Sequence, residues 1–172
     1  MEQLDKALEN LKAAILSRSP KTQGILVEWI HKWAALLRNE KTFPRNRLPN
    51  LPYYKRGDVI RVEFGFNVGV EFGGIHYAVV VEENNNKKSE HVVVVPLTSR
   101  TSGKAVFKND VLLGNVINDV ATVAKPNQIR VISKMRIKRK KIARLSGKQL
   151  QLIDDQLKEI LRLELDKQTE LV

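Results

Sequence analysis

Apolar residues at three- and four-residue steps open the chain: Leu4, Ala7, Leu8, Leu11 and Ile15, with Asp5, Lys6, Glu9 and Lys12 between them. One apolar face and one charged face predict an amphipathic helix. Ser19 followed by Pro20 has the form of an N-cap with proline at the first helical position. Ile25, Leu26, Trp29, Ile30, Trp33, Leu36 and Leu37 then recur at helical spacing, so a second helix is predicted to run to about Asn39. Trp29 and Trp33 stand four apart on it, which requires the helix to pack on its neighbour, on the following domain or on another copy of the chain. From residue 41 to 54 the periodicity stops, and Pro44, Pro49 and Pro52 lie among Arg45, Asn46, Arg47 and Asn50 in what reads as a linker or wrapping arm.

Beyond that arm the pattern changes to short strands. Ile60, Val62 and Phe64 alternate within Asp58 to Phe64, while Tyr77 to Val81 and Val92 to Val95 are continuous apolar runs of the kind buried on both faces. Val120 to Ala124 and Ile129 to Ile132 follow in the same style. Glycines at 65, 69, 73, 74, 103 and 114 punctuate these runs where tight turns or bulges are expected. Ser146 is placed to cap a last helix carrying Leu150, Ile153, Leu157, Ile160, Leu161 and Glu164. The expected fold class is mainly β: a small, strongly bent antiparallel barrel with a C-terminal helix, preceded by a two-helix extension. The expected division is 1–40 for the helical hairpin, 41–54 for the linker and 55–172 for the barrel with its helix.

A chain of 172 residues with 42% apolar content has room for one solid core and a small appended unit. It has no cysteine, which removes disulfides, thiol nucleophiles and thiolate metal sites and fits a reducing, cytoplasmic setting. Nothing in it has the length of a membrane span, and Glu2 and Asp5 at the start are unlike a signal peptide. The formal charge of +11 favours polyanions or an acidic protein partner. Much of it is concentrated between Lys125 and Lys148, where ten Lys and Arg stand without an acidic residue and Lys138, Arg139, Lys140 and Lys141 are consecutive. Such a run is either a binding surface or simply a solvated face. His31, His76 and His91 are scattered without carboxylates at ligand spacing, so neither a metal nor another cofactor is expected, and any catalysis is expected to be acid–base chemistry.

The order of the segments is more informative than any one of them. Arg56-Gly57-Asp58-Val59 opens the first strand; Gly69-Val70-Glu71-Phe72-Gly73-Gly74 follows; then come a valine-rich strand, Val95-Pro96-Leu97-Thr98-Ser99, Asn127-Gln128-Ile129-Arg130, and a helix beginning at Leu145-Ser146. This succession, over about residues 55 to 165, resembles the MazF/PemK/Kid family of toxin–antitoxin endoribonucleases.

The resemblance implies an SH3-like barrel that forms a homodimer and cuts single-stranded RNA without a metal. In that chemistry the 2′-hydroxyl of the substrate attacks the adjacent phosphate, leaving a 2′,3′-cyclic phosphate and a 5′-hydroxyl. It also implies a cytoplasmic toxin that arrests growth, neutralised by an antitoxin with an acidic disordered tail, with operator DNA bound only together with that antitoxin. Such a reaction needs a base near the 2′-hydroxyl, cationic or hydroxyl donors on the phosphoryl oxygens and an acid for the leaving oxygen.

Carried over residue by residue, the family's catalytic arginine falls on His76, which is the main departure. The hydroxyl residue of the Leu-Thr-Ser segment falls on Thr98, with Ser99 and Arg100 beside it. An arginine and an aspartate of the Kid branch fall on Lys125 and Asn127, and the acidic residue of the glycine-rich loop is Glu71. His76, Thr98 and Lys125 are therefore the expected catalytic group, and Glu71, Ser99, Arg100, Asn127, Gln128 and Arg130 the expected RNA contacts.

Bland readings stand beside these. His76 also suits a polar residue starting a buried strand, and Thr98 a turn residue at a strand end. Tyr53 and Tyr54 either stack on bases or cover the end of the barrel. At the level of the whole chain, a catalytically silent binding module and a gyrase-directed toxin on the same barrel are the alternatives. The extension either widens a dimer interface or folds back across the groove and restrains it.

Overall fold

The computed structural model describes residues 1–40, 52–100 and 106–163. The predicted linker up to residue 51, Gly103 and Glu164 lie outside them, as do the side chains of Arg139 and Lys140. Helices α1 (Glu2–Leu16) and α2 (Pro20–Glu40) come first, with the Ser19 hydroxyl accepting from the Thr22 N–H at 3.4 Å at the start of α2. Strands β1 (Asp58–Gly65), β2 (Gly74–Val80), β3 (His91–Ser99), β4 (Val111–Ile117), β5 (Val120–Ala124), β6 (Arg130–Ser133) and β7 (Ile137–Arg144) follow, and α3 (Gly147–Leu161) closes the described chain. All pairings are antiparallel; the strand path is β4-β5-β3-β2-β1-β7, and β6 pairs with β3.

Both faces of the central strands are buried, as their unbroken apolar runs require. Val59, Val79, Val95 and Leu97 pack with Leu145 and Ile153 on one side, while Ile60, Val62, Ala78, Val80, Val92 and Val94 pack with Tyr54, Phe64 and Ile132 on the other. Tyr54 thus belongs to the core, and Tyr53 beside it is exposed. α3 is fastened by a capping box in which Ser146 and Gln149 satisfy each other's backbone N–H, and the Gln149 side chain donates to the Leu113 carbonyl at 2.7 Å.

Two strands are additional to those the apolar pattern predicts. β4 reverses into β5 through Asn118 and Asp119, whose φ values of 50° and 56° are those of a two-residue hairpin turn. β7 carries the basic run Lys138 to Lys141. As the edge strand beside β1 it hides no alternating apolar face, and charge on an edge discourages pairing with another chain.

Part of that basic run is neutralised internally. Lys138 pairs with Glu63 at 2.9 Å and Lys141 with Asp58 at 3.2 Å, both acids being nearly inaccessible. The opening Arg56-Gly57-Asp58 segment is likewise a fastening. The Arg56 guanidinium donates to the Val81 carbonyl and to Asp154 of α3, and Gly57 exchanges backbone hydrogen bonds with Val80 and Leu145. Gly57 has φ +87°, and a Cβ there would come 3.0 Å from Leu150, so glycine is required by both backbone and space.

The helical hairpin folds back onto the end of β1. Trp29 of α2 lies directly on Gly65: a Cβ on that glycine would fall 2.4 Å from the indole. Arg136 donates to the Phe64 carbonyl at 3.0 Å, and its guanidinium lies 5.5 Å from the Trp29 ring centre. Lys32, one turn further along α2, bridges Glu28 at 2.6 Å and Glu63 at 3.0 Å. Trp29 therefore packs on the domain, while Trp33 stays 48% exposed. Burial alone would raise the Glu63 carboxyl, but hydrogen bonds from Lys138 and Lys32 outweigh it and hold the group below its ordinary value of 4.5.

Two outcomes follow for the docking of α2. Gly65→Ala must both strain a φ of +86° and displace Trp29, and is expected to lower stability by about 1–3 kcal/mol and shift tryptophan emission to the red. Unchanged emission and melting would contradict the contact. Because the carboxyl value of Glu63 is depressed in the folded chain, its contribution is full above the ordinary value of 4.5 and is lost as pH falls through the depressed one. In a Trp33→Phe background, Trp29 emission is expected to hold steady from neutral pH down to that range and redden only below it. Glu63→Gln should abolish this step.

Candidate functional site

The glycine-rich segment between β1 and β2 is long and carries few apolar anchors, so its shape depends on polar ties to its one half-buried aromatic, Phe72. The Phe72 N–H donates to Gln128 Oε1 at 3.1 Å, and its carbonyl accepts from Arg130 Nη1 at 3.1 Å and Asn67 Nδ2 at 2.7 Å. Arg130 Nη2 also donates to Gln128 Oε1 at 2.9 Å, and the guanidinium lies 5.5 Å from the centre of the Phe64 ring. Phe64 meets Phe72 edge to face at 5.5 Å. Gln128 and Arg130, both expected to contact RNA, thus brace the loop through Gln128 Oε1 and Arg130 Nη1.

Phe72 in turn holds His76. The imidazole and phenyl rings are 4.5 Å apart between centres, and the ring lies over Gly74, where a Cβ would stand 3.6 Å from Nε2. Half-buried in this setting, His76 is pushed below its ordinary value of 6.5 by loss of water around the charged form. It therefore carries a neutral ring near pH 7, with one nitrogen available to accept a proton.

β2 and β3 pair from Val80↔Val94 to Tyr77↔Leu97, so His76 and Thr98 are the next residues along two neighbouring strands. Thr98 and Ser99 pair with Val123 and Thr122 of β5, and both line a small cavity of about 70 Å³ with Tyr77, Ile117 and Asn118. Arg100 is exposed and its N–H donates to the Ala121 carbonyl at 2.7 Å. The Leu-Thr-Ser segment and His76 thus come to the same end of the sheet.

Lys125 has different company. Its ammonium donates to Asp110 Oδ2 at 2.6 Å and lies 5.2 Å from the Phe107 ring centre, so its charge is largely offset where it stands. No pattern in the sequence links Asp110 to Lys125; the ladder that aligns Val111 with Ala124 does so. Asn127 is exposed within a short 3-10 turn, Pro126–Gln128. Glu71 is exposed at the tip of the loop, and among the described residues no cation pairs with its carboxylate.

A cavity of about 400 Å³ lies between α2 and the loop. Ile25, Trp29, Phe66 and Ile75 supply apolar walls, and Asn67 and Glu71 polar ones. Trp29, Asn67 and Phe72 are the site residues that sequence reasoning did not single out for function. Trp29 had only helical spacing to mark it, and the roles of Asn67 and Phe72 rest on hydrogen bonds and ring contacts made after folding.

The fold has known counterparts. MazF from Deinococcus radiodurans (Form-I) superposes with a TM-score of 0.54 at 19% identity, covering 65% of this chain and 99% of that one. An endoribonuclease from Mycobacterial species has a TM-score of 0.50 at 17% identity, covering 66% and 95%. An endoribonuclease in complex with its cognate antitoxin, also from Mycobacterial species, has a TM-score of 0.50 at 20% identity, covering 64% and 97%. Identities this low establish a shared fold. Comparison with curated protein sequences returns no match. A family model described as "PemK-like, MazF-like toxin of type II toxin-antitoxin system" matches residues 55–161. The ordered segments, the antiparallel fold and this match agree, and the chain belongs to the PemK-like, MazF-like toxin family of type II toxin–antitoxin systems.

Proposed function

We propose that the chain is the toxin of a type II pair and a metal-independent endoribonuclease of single-stranded RNA, with residues 1–40 as a helical unit appended to the nuclease domain. The observation that carries this reading is His76: a half-buried histidine whose proton affinity is lowered by burial and whose ring packs on Phe72, one residue beyond the last β2–β3 pair, Tyr77↔Leu97, as Thr98 is on β3. In the proposed step, His76 takes the proton of a ribose 2′-hydroxyl as its oxygen attacks the adjacent phosphorus. The bond from phosphorus to the 5′-oxygen breaks, that oxygen takes a proton from water, and a 2′,3′-cyclic phosphate remains.

Thr98 and Ser99 donate to the phosphoryl oxygens as charge builds there. Exposed Arg100 supplies the cation, with Lys125 a weaker one because Asp110 offsets it. Gln128 and Arg130 act by shaping the loop, and Asn127 is left as an exposed polar contact. RNA must be single-stranded, because a flexible strand reaches the in-line geometry that a duplex forbids. A homodimer and an acidic antitoxin partner complete the reading; the endoribonuclease solved with its cognate antitoxin supports the second, as does the charge of +11. We place the protein in the cytoplasm, the setting that membership of a type II toxin–antitoxin family suggests; no helix among the described residues is long and apolar enough to cross a membrane.

The assay is cleavage of a long defined RNA in EDTA with mapped fragment ends. The native chain is expected to leave cyclic phosphates. His76→Ala is expected to lower the rate about 10²–10⁴-fold, in the range of positioned acid–base groups, and Thr98→Ala to lower it less. With His76 as base, the rate should rise with pH to a plateau, with a midpoint below 6.5, and this limb should vanish in His76→Ala. RNA left intact by the native chain and by a form lacking residues 1–50 would rule out the nuclease and leave a binding module. DNA breaks that depend on gyrase would indicate a gyrase-directed toxin instead.

A further inference from the structure

The cavity between α2 and the glycine-rich loop is not explained by the reaction itself. It measures about 400 Å³, within the range of small-ligand sites and sufficient for one nucleobase with its sugar. Its walls come from both parts of the chain, Ile25 and Trp29 from α2 and Phe66, Asn67, Glu71 and Ile75 from the domain. Gly74 also lines it, and the His76 ring lies over that glycine, so the cavity opens beside the proposed base.

The charges around it favour a base edge over a phosphate. Three carboxylates line the cavity and one lysine, Lys32, accompanies them. Glu28 and Glu63 are both paired with Lys32, and Glu63 also with Lys138. Glu71 carries no such partner among the described residues; it lines the cavity, and an ionised carboxylate offers two acceptor oxygens. A free carboxylate repels a phosphate and binds adjacent N–H donors in a bidentate pair. Among the four RNA bases only guanine presents two neighbouring donors, N1–H and N2–H, on its pairing edge. Adenine and cytosine set an acceptor beside the amino group, and uracil places its single donor between two carbonyls.

We propose that this cavity is a guanine pocket, in which Trp29 of the extension forms the apolar wall and Glu71 reads the donor edge of a base flanking the cleaved bond. The proposal rests on the nuclease reading for its consequence, but the binding event can be measured without cleavage. It also gives the extension a part in choosing the substrate.

The test uses the full chain in a Trp33→Phe background, so that Trp29 reports the pocket. Titration with the 5′-monophosphates of guanosine, adenosine, cytidine and uridine is expected to change Trp29 emission with guanosine preferred by about tenfold or more. Glu71→Gln is expected to erase that preference, because an amide offers only one acceptor atom. Equal responses to the four nucleotides, or none, would overturn the assignment.

Cleavage of a random-sequence RNA pool supplies the second arm. Mapped ends from the native chain should show guanine at one fixed distance from the cut, and in Trp29→Ala and Glu71→Gln the cuts that remain should lose that bias. If Trp29→Ala instead accelerates cutting of every sequence with the guanine bias intact, the pocket assignment fails and α2 is a restraint. Selective guanosine binding by a chain that cuts no RNA would sink the nuclease reading and leave the pocket standing.

Discussion

The backbone of Phe72 is the point on which this end of the molecule depends. Its N–H and carbonyl are held by Gln128, Arg130 and Asn67, three side chains reaching in from two different parts of the chain. A loop rich in glycine loses much conformational freedom on ordering and has little apolar surface to offset that loss. Hydrogen bonds donated by the Arg130 guanidinium and the Asn67 amide and accepted by the Gln128 amide oxygen, beside the rings of Phe64 and Phe72, fix it. Once Phe72 is fixed, His76 has a ring to pack on, and the walls of the adjoining cavity are set.

The same economy explains the fate of the positive charge. A chain at +11 has strong long-range attraction for polyanions and acidic surfaces in general. Yet several of its cations are engaged within the fold. Arg130 braces the loop, Lys125 meets Asp110, Lys138 and Lys141 meet buried acids, and Arg56 ties α3 to the sheet. Buried acids such as Glu63 and Asp58 need these partners, because leaving a carboxylate unpaired in the interior is costly. Surface attraction and internal neutralisation thus draw on one set of lysines and arginines.

The extension is joined to the domain by a close steric fit. Gly65 leaves a flat place on the end of β1, Trp29 fills it, and Arg136 and Lys32 hold the helix from two sides. The hairpin has no buried residue of its own, so its position is set by this docking more than by an internal core. That arrangement places a helix absent from the matched family segment, residues 55–161, along the rim of the candidate site.

Periodicity alone determined both N-terminal helices, the C-terminal helix with its Ser146 cap and the buried central strands, because side-chain spacing of 3.6 or 2 is a local property. The ordered segments from Arg56 to Arg130 carried the family. β4 and β7 escaped the apolar pattern, since an edge strand of lysines and a strand with exposed Leu112 hide no regular face. His76 and Thr98 were legible as positions, but it is the β2–β3 register that brings both to one end of the sheet, each one residue beyond the Tyr77↔Leu97 pair. The commitment of Arg130 and Gln128 to the loop, the capture of Lys125 by Asp110 and the seating of Trp29 on Gly65 were decided only by tertiary structure. Each joins residues far apart in sequence through hydrogen-bond, charge and steric complementarity, which spacing along a chain does not encode.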